Sequence, residues 1–331
     1  MRALAALLLL AAALRFPTLG EQSFWRDEAS TALELHGGLG HLWSGVRDLE
    51  GMPPGYFLLA WVWSKAFGLG EVGLRSLSAL IGVATVGVAW ALGAHWSPRA
   101  GRLAAAFAAT SPFLVWYAQE ARPYALLVLA TATATLFLVR GRVAAWGLAA
   151  AAALLTHYFA VFLLVPQALV LLRRHGRGAV PGLAPPVVVG LALTPLALSQ
   201  RDNGVDWVSG SALAGRVADV AKHWGSGAFG TPVDAAGALA LALLVAGMVG
   251  ALASGRGGRV VATAAAAIAV PVVLALAGAD YVLDRYLIAA LVPLLAVVTA
   301  GFGTRRGTVG TAGGARPCPP FPAFPSPKDP Q

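Results

Sequence analysis

The sequence predicts an all-α fold, a polytopic membrane bundle of about ten transmembrane helices. Hydrophobic residues make up 58% of the 331-residue chain and charged residues only 12%, whereas about a quarter of an ordinary soluble domain is charged. Apolar stretches close to the ~20 residues of a spanning helix recur along the chain. The stretches 235–253 and 260–278 contain no ionisable side chain. A soluble helical protein would need a polar face on each helix, so the soluble class is excluded.

The first predicted span lies at the start of the chain. Residues 3–14 are similar to the apolar core of a signal peptide, but Arg15-Phe16-Pro17 stands where a small-x-small cleavage site is expected. We therefore favour an uncleaved helix over a signal peptide, with Arg15 extending to the membrane surface at its far end. The predicted spans are 3–19, 74–94, 102–117, 124–139, 144–156, 158–172, 181–199, 235–253, 260–278 and 286–303.

Charge decides whether segment 54–68 is a further span. Its 15 residues make a helix of about 22 Å, which is short of the ~30 Å hydrocarbon core. If it does not cross, the arginine-bearing loops alternate with loops that hold fourteen of the fifteen acidic residues, Asp329 of the tail being the last. The positive-inside rule then places the arginine loops in the cytoplasm and the acidic loops outside. Segment 54–68 is predicted to be a re-entrant or surface-lying helix.

The predicted transmembrane domain covers residues 1–306 and has two long outer loops, 20–73 and 200–234. In the first loop, apolar residues recur at helical spacing and predict a juxtamembrane helix; they are Leu35, Leu39, Leu42, Val46 and Leu49. The Gly/Pro-rich tail 307–331 is predicted to be disordered. Its Cys318 is the single cysteine, so an internal disulfide is excluded and a cysteine metal site is not expected. The +9 net charge lies in short loops between spans, which argues against a nucleic-acid partner.

Polar chemistry is concentrated in five short outer segments, 24–28, 50–54, 119–124, 156–158 and 284–286. A transporter usually carries its ionisable residues within the spans near the midplane, and these spans are almost free of charge. Carboxylates, arginines and a histidine at one interface indicate an enzyme that acts on a polar group attached to a lipid. A membrane transporter or lipid flippase is the main alternative, and a non-catalytic, truncated member of an enzyme family is another.

The outer segments resemble the GT-C superfamily of glycosyltransferases that use a polyprenyl-phosphate sugar donor. The closest likeness is to glycosyltransferase family 39, which includes the protein O-mannosyltransferases and the lipid A aminoarabinose transferase. It covers roughly residues 1–303 and depends on the order and spacing of its motifs rather than on any single one. The similar stretches are Phe24–Ala29, Pro53-Pro54 with Tyr56, Leu74–Leu80, Ser111–Phe113 with Trp116-Tyr117, Gln119–Tyr124, Thr156–Tyr158 and Arg285-Tyr286.

The resemblance implies an inverting transfer of a monosaccharide to an acceptor hydroxyl of a protein, glycan or lipid. It also implies an integral protein of the bacterial inner or plasma membrane with its active site on the outer side. Asp27 occupies the position of the catalytic base; from the residues alone it is equally an N-cap of the helix that follows. The substrate-binding residues implied are Glu28, Glu50, Arg122, Tyr124, Arg285 and Tyr286.

Several of these assignments keep an alternative. Arg122 and Arg285 are expected to contact the donor phosphate, but an ion pair for the first and an interfacial anchor for the second remain open. Glu120 and His157 are candidate ligands of a divalent cation. His157 is also a candidate donor to the phosphate, and a capping or snorkelling role is equally open. The chain departs from many relatives at Met52, where a lysine or histidine is common before Pro-Pro, and in lacking further spans or a soluble domain after the last helix.

Overall fold

The structure is a computed structural model that describes residues 2–201, 210–227 and 234–302. This part of the chain is helical throughout and contains no strand, which confirms the predicted all-α class. The predicted disordered tail 307–331 and residues 202–209 and 228–233 of the second outer loop lie outside the described residues. The α-helices are α1 Arg2–Arg15, α2 Arg26–His36, α3 Leu39–Asp48, α4 Gly55–Phe67, α5 Glu71–Gly93, α6 Pro98–Thr110, α7 Pro112–Tyr117, α8 Tyr124–Val139, α9 Val143–Thr156, α10 Val161–His175, α11 Val180–Ser199, α12 Leu213–Ser226, α13 Asp234–Ala253, α14 Gly258–Leu276 and α15 Leu291–Phe302.

Several of these helices suit a membrane by length and composition, and the chain is an integral membrane protein. Among the described residues, three helical segments are long and apolar enough to cross: Glu71–Gly93, Tyr158–Ser199 and Gly258–Leu276. Shorter apolar helices cover Tyr124–Val139, Val143–Thr156 and Ile288–Phe302. Most helix bounds agree with the predicted spans within a few residues. The total of ten spans stays a prediction.

The predicted span 102–117 is broken at Ser111 into helices α6 and α7. Pro112 follows Ser111, and a residue that precedes proline is driven out of the helical conformation; Ser111 has φ −56° and ψ 117°. Its hydroxyl then accepts a hydrogen bond from the Leu114 N–H at 3.4 Å and caps the next helix, in which proline fits the first position. The break sets the direction in which the chain enters segment 119–124.

Arg15 is buried rather than extended to the membrane surface, so that prediction was wrong. Only 1% of the residue is exposed. Its guanidinium donates to the carbonyls of Ala108 at 3.0 Å, Ala109 at 2.9 Å and Ala11 at 3.2 Å. Ala108 and Ala109 lie in the last turn of α6, where carbonyls have no partner within the helix and carry partial negative charge. The cation therefore caps α6 and joins it to α1.

The first outer loop forms three helices, α2, α3 and α4, that pack on one another. The predicted juxtamembrane helix corresponds to α3, which buries Leu42 and Val46. Gly45 of the same helix allows a close approach of Glu34 from α2, because a Cβ atom at Gly45 would lie 2.5 Å from Glu34 Cγ. The short segment 54–68 forms α4, whose first residue, Gly55, lies against the backbone of α9. Whether α4 crosses the membrane stays a prediction.

A series of hydrogen-bonded polar side chains joins three helices inside the bundle. Trp146 Nε1 of α9 donates to Gln167 Oε1 of α10 at 2.8 Å, and Gln167 Nε2 donates to Thr135 Oγ1 of α8 at 2.8 Å. All three side chains are buried. Buried polar groups of this kind are stable only when hydrogen-bonded, and in membranes they hold helices together. These hydrogen bonds fix the position of α9 relative to α10, and His157 lies between the two helices.

Candidate active site

Two neighbouring cavities contain all nine side chains that the sequence predicted for the site. The Asp27 cavity has a volume of about 430 Å³, and its predicted site residues are Asp27, Glu50, Arg122, Tyr124, His157, Arg285 and Tyr286. The Glu120 cavity has a volume of about 460 Å³ and is lined by Glu28 and Glu120 together with Trp25, Arg75 and Trp116. Arg285 lines both cavities. Five segments far apart in sequence therefore meet at one place.

Asp27 lies in the first turn of α2 and is not its N-cap. The helix begins at Arg26, and Trp25, in an extended conformation, precedes it. Glu28 extends back to the Trp25 N–H at 3.4 Å, so Glu28 and not Asp27 satisfies this free N–H group of the helix end. The Asp27 carboxylate is partly exposed, lines its cavity and acts electrostatically on the guanidinium groups of Arg122 and Arg285. The structure thus removes the capping alternative.

Arg122 forms a buried, two-bonded ion pair with Glu50. Nη1 donates to Glu50 Oε1 at 2.6 Å and Nη2 to Oε2 at 2.9 Å, and both side chains are less than a tenth exposed. Nη1 also donates to Thr31 Oγ1 at 2.9 Å and to the Asp27 carbonyl at 3.3 Å. Burial acts to lower the pKa of Arg122, but the charge and hydrogen bonds of Glu50 outweigh it and raise that pKa above its ordinary value. Arg122 therefore forms an ion pair with Glu50 rather than with Glu120, and a phosphate contact of Arg122 stays a prediction.

Met52 lies beside this pair. Its Sδ is 3.8 Å from Arg122 Nη2, and both residues line the Asp27 cavity. The guanidinium group beside Met52 is paired with Glu50, so the group that would contact a phosphate at this position stays a prediction.

Arg285 is placed by contacts that the sequence did not reveal. The Asp284 carboxylate before it accepts from the Arg285 N–H at 2.7 Å and contacts His223 Nδ1 of α12 at 2.7 Å. Seven residues earlier on α12, Arg216 forms a two-bonded pair with Asp280, with Nη1 at 2.7 Å from Oδ1. One ion pair and one histidine–carboxylate contact thus attach α12 to the 280–285 segment. The spacing of 216 and 223, two turns of one helix face, was the only sequence signal.

Glu28 is occupied by structural contacts. Its carboxylate pairs with Arg75 of α5 through Nε at 2.9 Å and Nη2 at 2.6 Å, and it accepts from the Ala121 N–H at 2.8 Å. Arg75 also donates to the carbonyls of Leu19, Gln22 and Ser23. The pair links the start of α2 to α5 and to segment 119–124. An arginine inside a predicted span is itself a sequence signal of such a role.

Comparison with known proteins identifies the fold. A family model described as dolichyl-phosphate-mannose-protein mannosyltransferase matches residues 52–198. The crystal structure of ArnT from Cupriavidus metallidurans bound to undecaprenyl phosphate superposes with a TM-score of 0.61 at 19% identity, over 89% of this chain and 59% of that one. The chain has the GT-C fold.

Two further structures are similar to this GT-C fold. The apo state of the same ArnT gives a TM-score of 0.63 at 18% identity, over 89% of this chain and 58% of that one. An Archaeoglobus fulgidus oligosaccharyltransferase in complex with Zn and sulfate gives 0.51 at 12%, over 90% of this chain and 48% of that one. The chain thus spans about three fifths of ArnT. No curated protein matches the sequence significantly.

Glu120 and His157 lie in different cavities of the GT-C fold. Glu120 Oε1 accepts from Trp116 Nε1 at 2.8 Å, and Oε2 is buried without a hydrogen-bond partner. Burial, aided by the charge of Glu28, raises the pKa of Glu120 to about 7. In the part of the chain that the structure describes, no three His, Cys, Asp or Glu side chains are grouped to hold a metal ion. Glu120 and His157 line different cavities, and a divalent cation stays a prediction.

The buried carboxyl group of Glu34 should make the stability of the protein depend on pH. It is 2% exposed, and both carboxylate oxygens are buried without partners. Burial, and then the charge of Glu50, raise the pKa of Glu34 from 4.5 to about 8. The folded state keeps this proton where the unfolded state has lost it, so the free energy of unfolding should fall as pH rises from 4.5 to about 8.

Thermal unfolding in detergent, followed by intrinsic fluorescence between pH 4.5 and 8, measures this fall. Glu34→Gln should flatten the curve because the amide does not titrate. The exposed Glu21→Gln is the control and should leave the curve unchanged. Equal slopes for wild type and Glu34→Gln would show that Glu34 is ionised in the folded protein.

Proposed function

We propose that the protein is an inverting glycosyltransferase that moves a monosaccharide from a polyprenyl-phosphate donor to an acceptor hydroxyl. The reaction would take place at the outer face of a bacterial inner or plasma membrane. The observation that carries the proposal is the Asp27 cavity, which is lined by a partly exposed carboxylate together with the guanidinium groups of Arg122 and Arg285. A base and cationic groups in one cavity are what displacement of a phosphate-linked sugar requires.

The donor phosphate would lie near Arg285. Arg285 lines both cavities next to the aromatic rings of Tyr124 and Tyr286, and Arg122 of the Asp27 cavity pairs with Glu50. A guanidinium group binds phosphate oxygens with strong, directional hydrogen bonds. A phosphate-bearing lipid is also bound in the ArnT structure that shares this fold. The two tyrosines would contact the phosphate or the sugar, and Arg122 would act mainly by fixing Glu50, Thr31 and the Asp27 carbonyl.

The transfer would proceed in one displacement. Asp27 takes the proton of the acceptor hydroxyl while the hydroxyl oxygen forms a bond to the anomeric carbon of the sugar. At the same time the bond from that carbon to the phosphate oxygen breaks. The electron pair of this bond leaves with the polyprenyl phosphate, whose added charge Arg285 stabilises. Attack on the side opposite to the phosphate inverts the anomeric centre. The proton goes to Asp27, the sugar goes to the acceptor and the polyprenyl phosphate leaves, so the reaction requires no covalent intermediate on the enzyme.

Reconstitution into proteoliposomes tests the proposal. Polyprenyl phosphates carrying radiolabelled mannose, glucose or aminoarabinose are supplied with membrane extract as the acceptor source, and label leaving the lipid fraction is measured. Release from at least one donor, with label recovered in a protein, glycan or lipid acceptor, supports the enzyme. If label crosses the bilayer on intact lipid, the protein is a transporter or flippase. If a folded protein neither cleaves nor moves any donor, the non-catalytic alternative stands.

A further inference from the structure

His157 combines burial with an unsatisfied ring nitrogen. The residue is 2% exposed and lines the Asp27 cavity, yet Nε2 has no hydrogen-bond partner. The rings of Tyr124, Phe159 and Tyr286 surround it at centroid distances of 6.2, 5.1 and 5.8 Å. A buried polar atom without a partner costs about 1–3 kcal/mol, so an incoming ligand that satisfies it is favoured.

The contact of the other ring nitrogen, Nδ1, determines which of the two nitrogens carries the proton of the neutral imidazole. Nδ1 accepts a hydrogen bond from the backbone N–H of Phe159 at 3.2 Å and caps the single 3₁₀ turn Tyr158–Ala160. An acceptor needs a lone pair, so Nδ1 carries no proton. A neutral imidazole has one N–H, which must then be on Nε2.

The surroundings keep the ring neutral. Desolvation, followed by the positive charges of Arg122 and Arg285, lowers the pKa of His157 to about 3. The ring therefore offers a hydrogen-bond donor without a charge of its own. A metal ligand, in contrast, must present a nitrogen lone pair, and the one lone pair of this tautomer is already used within the chain.

We propose that His157 Nε2–H donates a hydrogen bond to a phosphate oxygen of the ligand in the Asp27 cavity, beside Arg285, and that it does not ligate a metal ion. The inference deepens the proposed function and rests on it for the identity of the ligand as a polyprenyl phosphate. The chemistry recognised is a phosphate group, whether on a lipid or free in solution. His157 would thereby add an uncharged hydrogen-bond donor to the positive charge that Arg285 brings to the phosphate.

Binding to the full chain in detergent tests the donor role without requiring catalysis. Titration calorimetry compares farnesyl phosphate, inorganic phosphate and farnesol. His157→Phe keeps an aromatic ring but removes the donor, and we expect it to weaken farnesyl phosphate about 10- to 100-fold, the range for a hydrogen bond to a charged group. His157→Gln should retain most of the affinity, because its amide nitrogen can take the place of Nε2.

The controls separate the outcomes. Farnesol binding should be the same in all three proteins; an equal loss for farnesol would mean that His157 only shapes the cavity and would overturn the inference. Tight, His157-dependent binding of inorganic phosphate supports the donor role and assigns the site to free phosphate. Zinc binding that His157→Gln abolishes overturns it in favour of a metal ligand.

Histidine ¹⁵N NMR of the wild type gives a readout that does not depend on the variants folding well. The His157 signal is identified as the one that is missing from the His157→Gln spectrum. In the wild type it should show a proton on Nε2, and it should shift when farnesyl phosphate is added. A proton on Nδ1 would overturn the inference. If no sugar donor is cleaved but phosphate binding depends on His157, the proposed function fails and this inference stands.

Discussion

Asp27→Asn is expected to lower sugar transfer about 10²- to 10⁴-fold, the usual contribution of a general base. The amide keeps the size of the side chain but does not take a proton from the acceptor hydroxyl. Asp27 is partly exposed and does not cap α2, so the substitution should leave folding and the KM for the donor nearly unchanged. The fall should therefore appear in kcat, measured as release of label from the donor in proteoliposomes.

The matched control is Asp219→Asn, the same change at an exposed position of α12. It should retain full activity. An Asp27→Asn protein that is folded, binds donor and transfers sugar at the wild-type rate would remove Asp27 as the base. Glu120, which lines the neighbouring cavity and has one buried oxygen without a hydrogen-bond partner, would then be the next carboxylate to substitute.

Arg75→Met is expected to destabilise the protein by about 3–5 kcal/mol, the cost of leaving one member of a buried ion pair without its partner. Glu28 is fully buried, so its charge would remain in the interior with only the Ala121 and Trp25 N–H groups to stabilise it. The carbonyls of Leu19, Gln22 and Ser23 would lose their donor as well. Unfolding in mixed detergent micelles measures the loss.

Two comparisons establish the cause of that loss. Arg47→Met breaks a pair whose side chains are each about half exposed and should have little effect, since such pairs contribute little to stability. Adding Glu28→Gln to Arg75→Met removes the stranded charge and should recover part of the stability. If Arg75→Met were no more harmful than Arg47→Met, the buried pair would not hold α2 in place.

Much of the fold could be predicted from hydropathy and loop charge, because a membrane requires long apolar helices and leaves few other options. The bounds of α8 and α11, for example, differ from prediction by at most one residue. The break at Ser111 was missed because the residues on both sides of it are apolar and continue the same pattern. Arg15 was misplaced because sequence does not show that the end of α6, more than 90 residues later, lies beside it.

The candidate site was predicted as a set of residues but not as a set of partners. Segment order placed Asp27, Arg122 and His157 at one end of the bundle, and the structure brings them to one cavity. The pairing of Arg122 with Glu50 and of Glu28 with Arg75 depends on how the first outer loop folds, which local sequence does not specify. The attachment of α12 to the segment before Arg285 was missed for the same reason.

The two buried ion pairs also bear on the energetics of the reaction. One pair fixes the residue after Asp27 to α5, and Arg122 of the other donates to the Asp27 carbonyl itself. The backbone that carries the proposed base is thus held on both sides before any substrate arrives. Little conformational entropy of the base would remain to be lost when the acceptor hydroxyl is aligned. The entropy cost of positioning the base would therefore fall on the folding of the protein and not on each turnover.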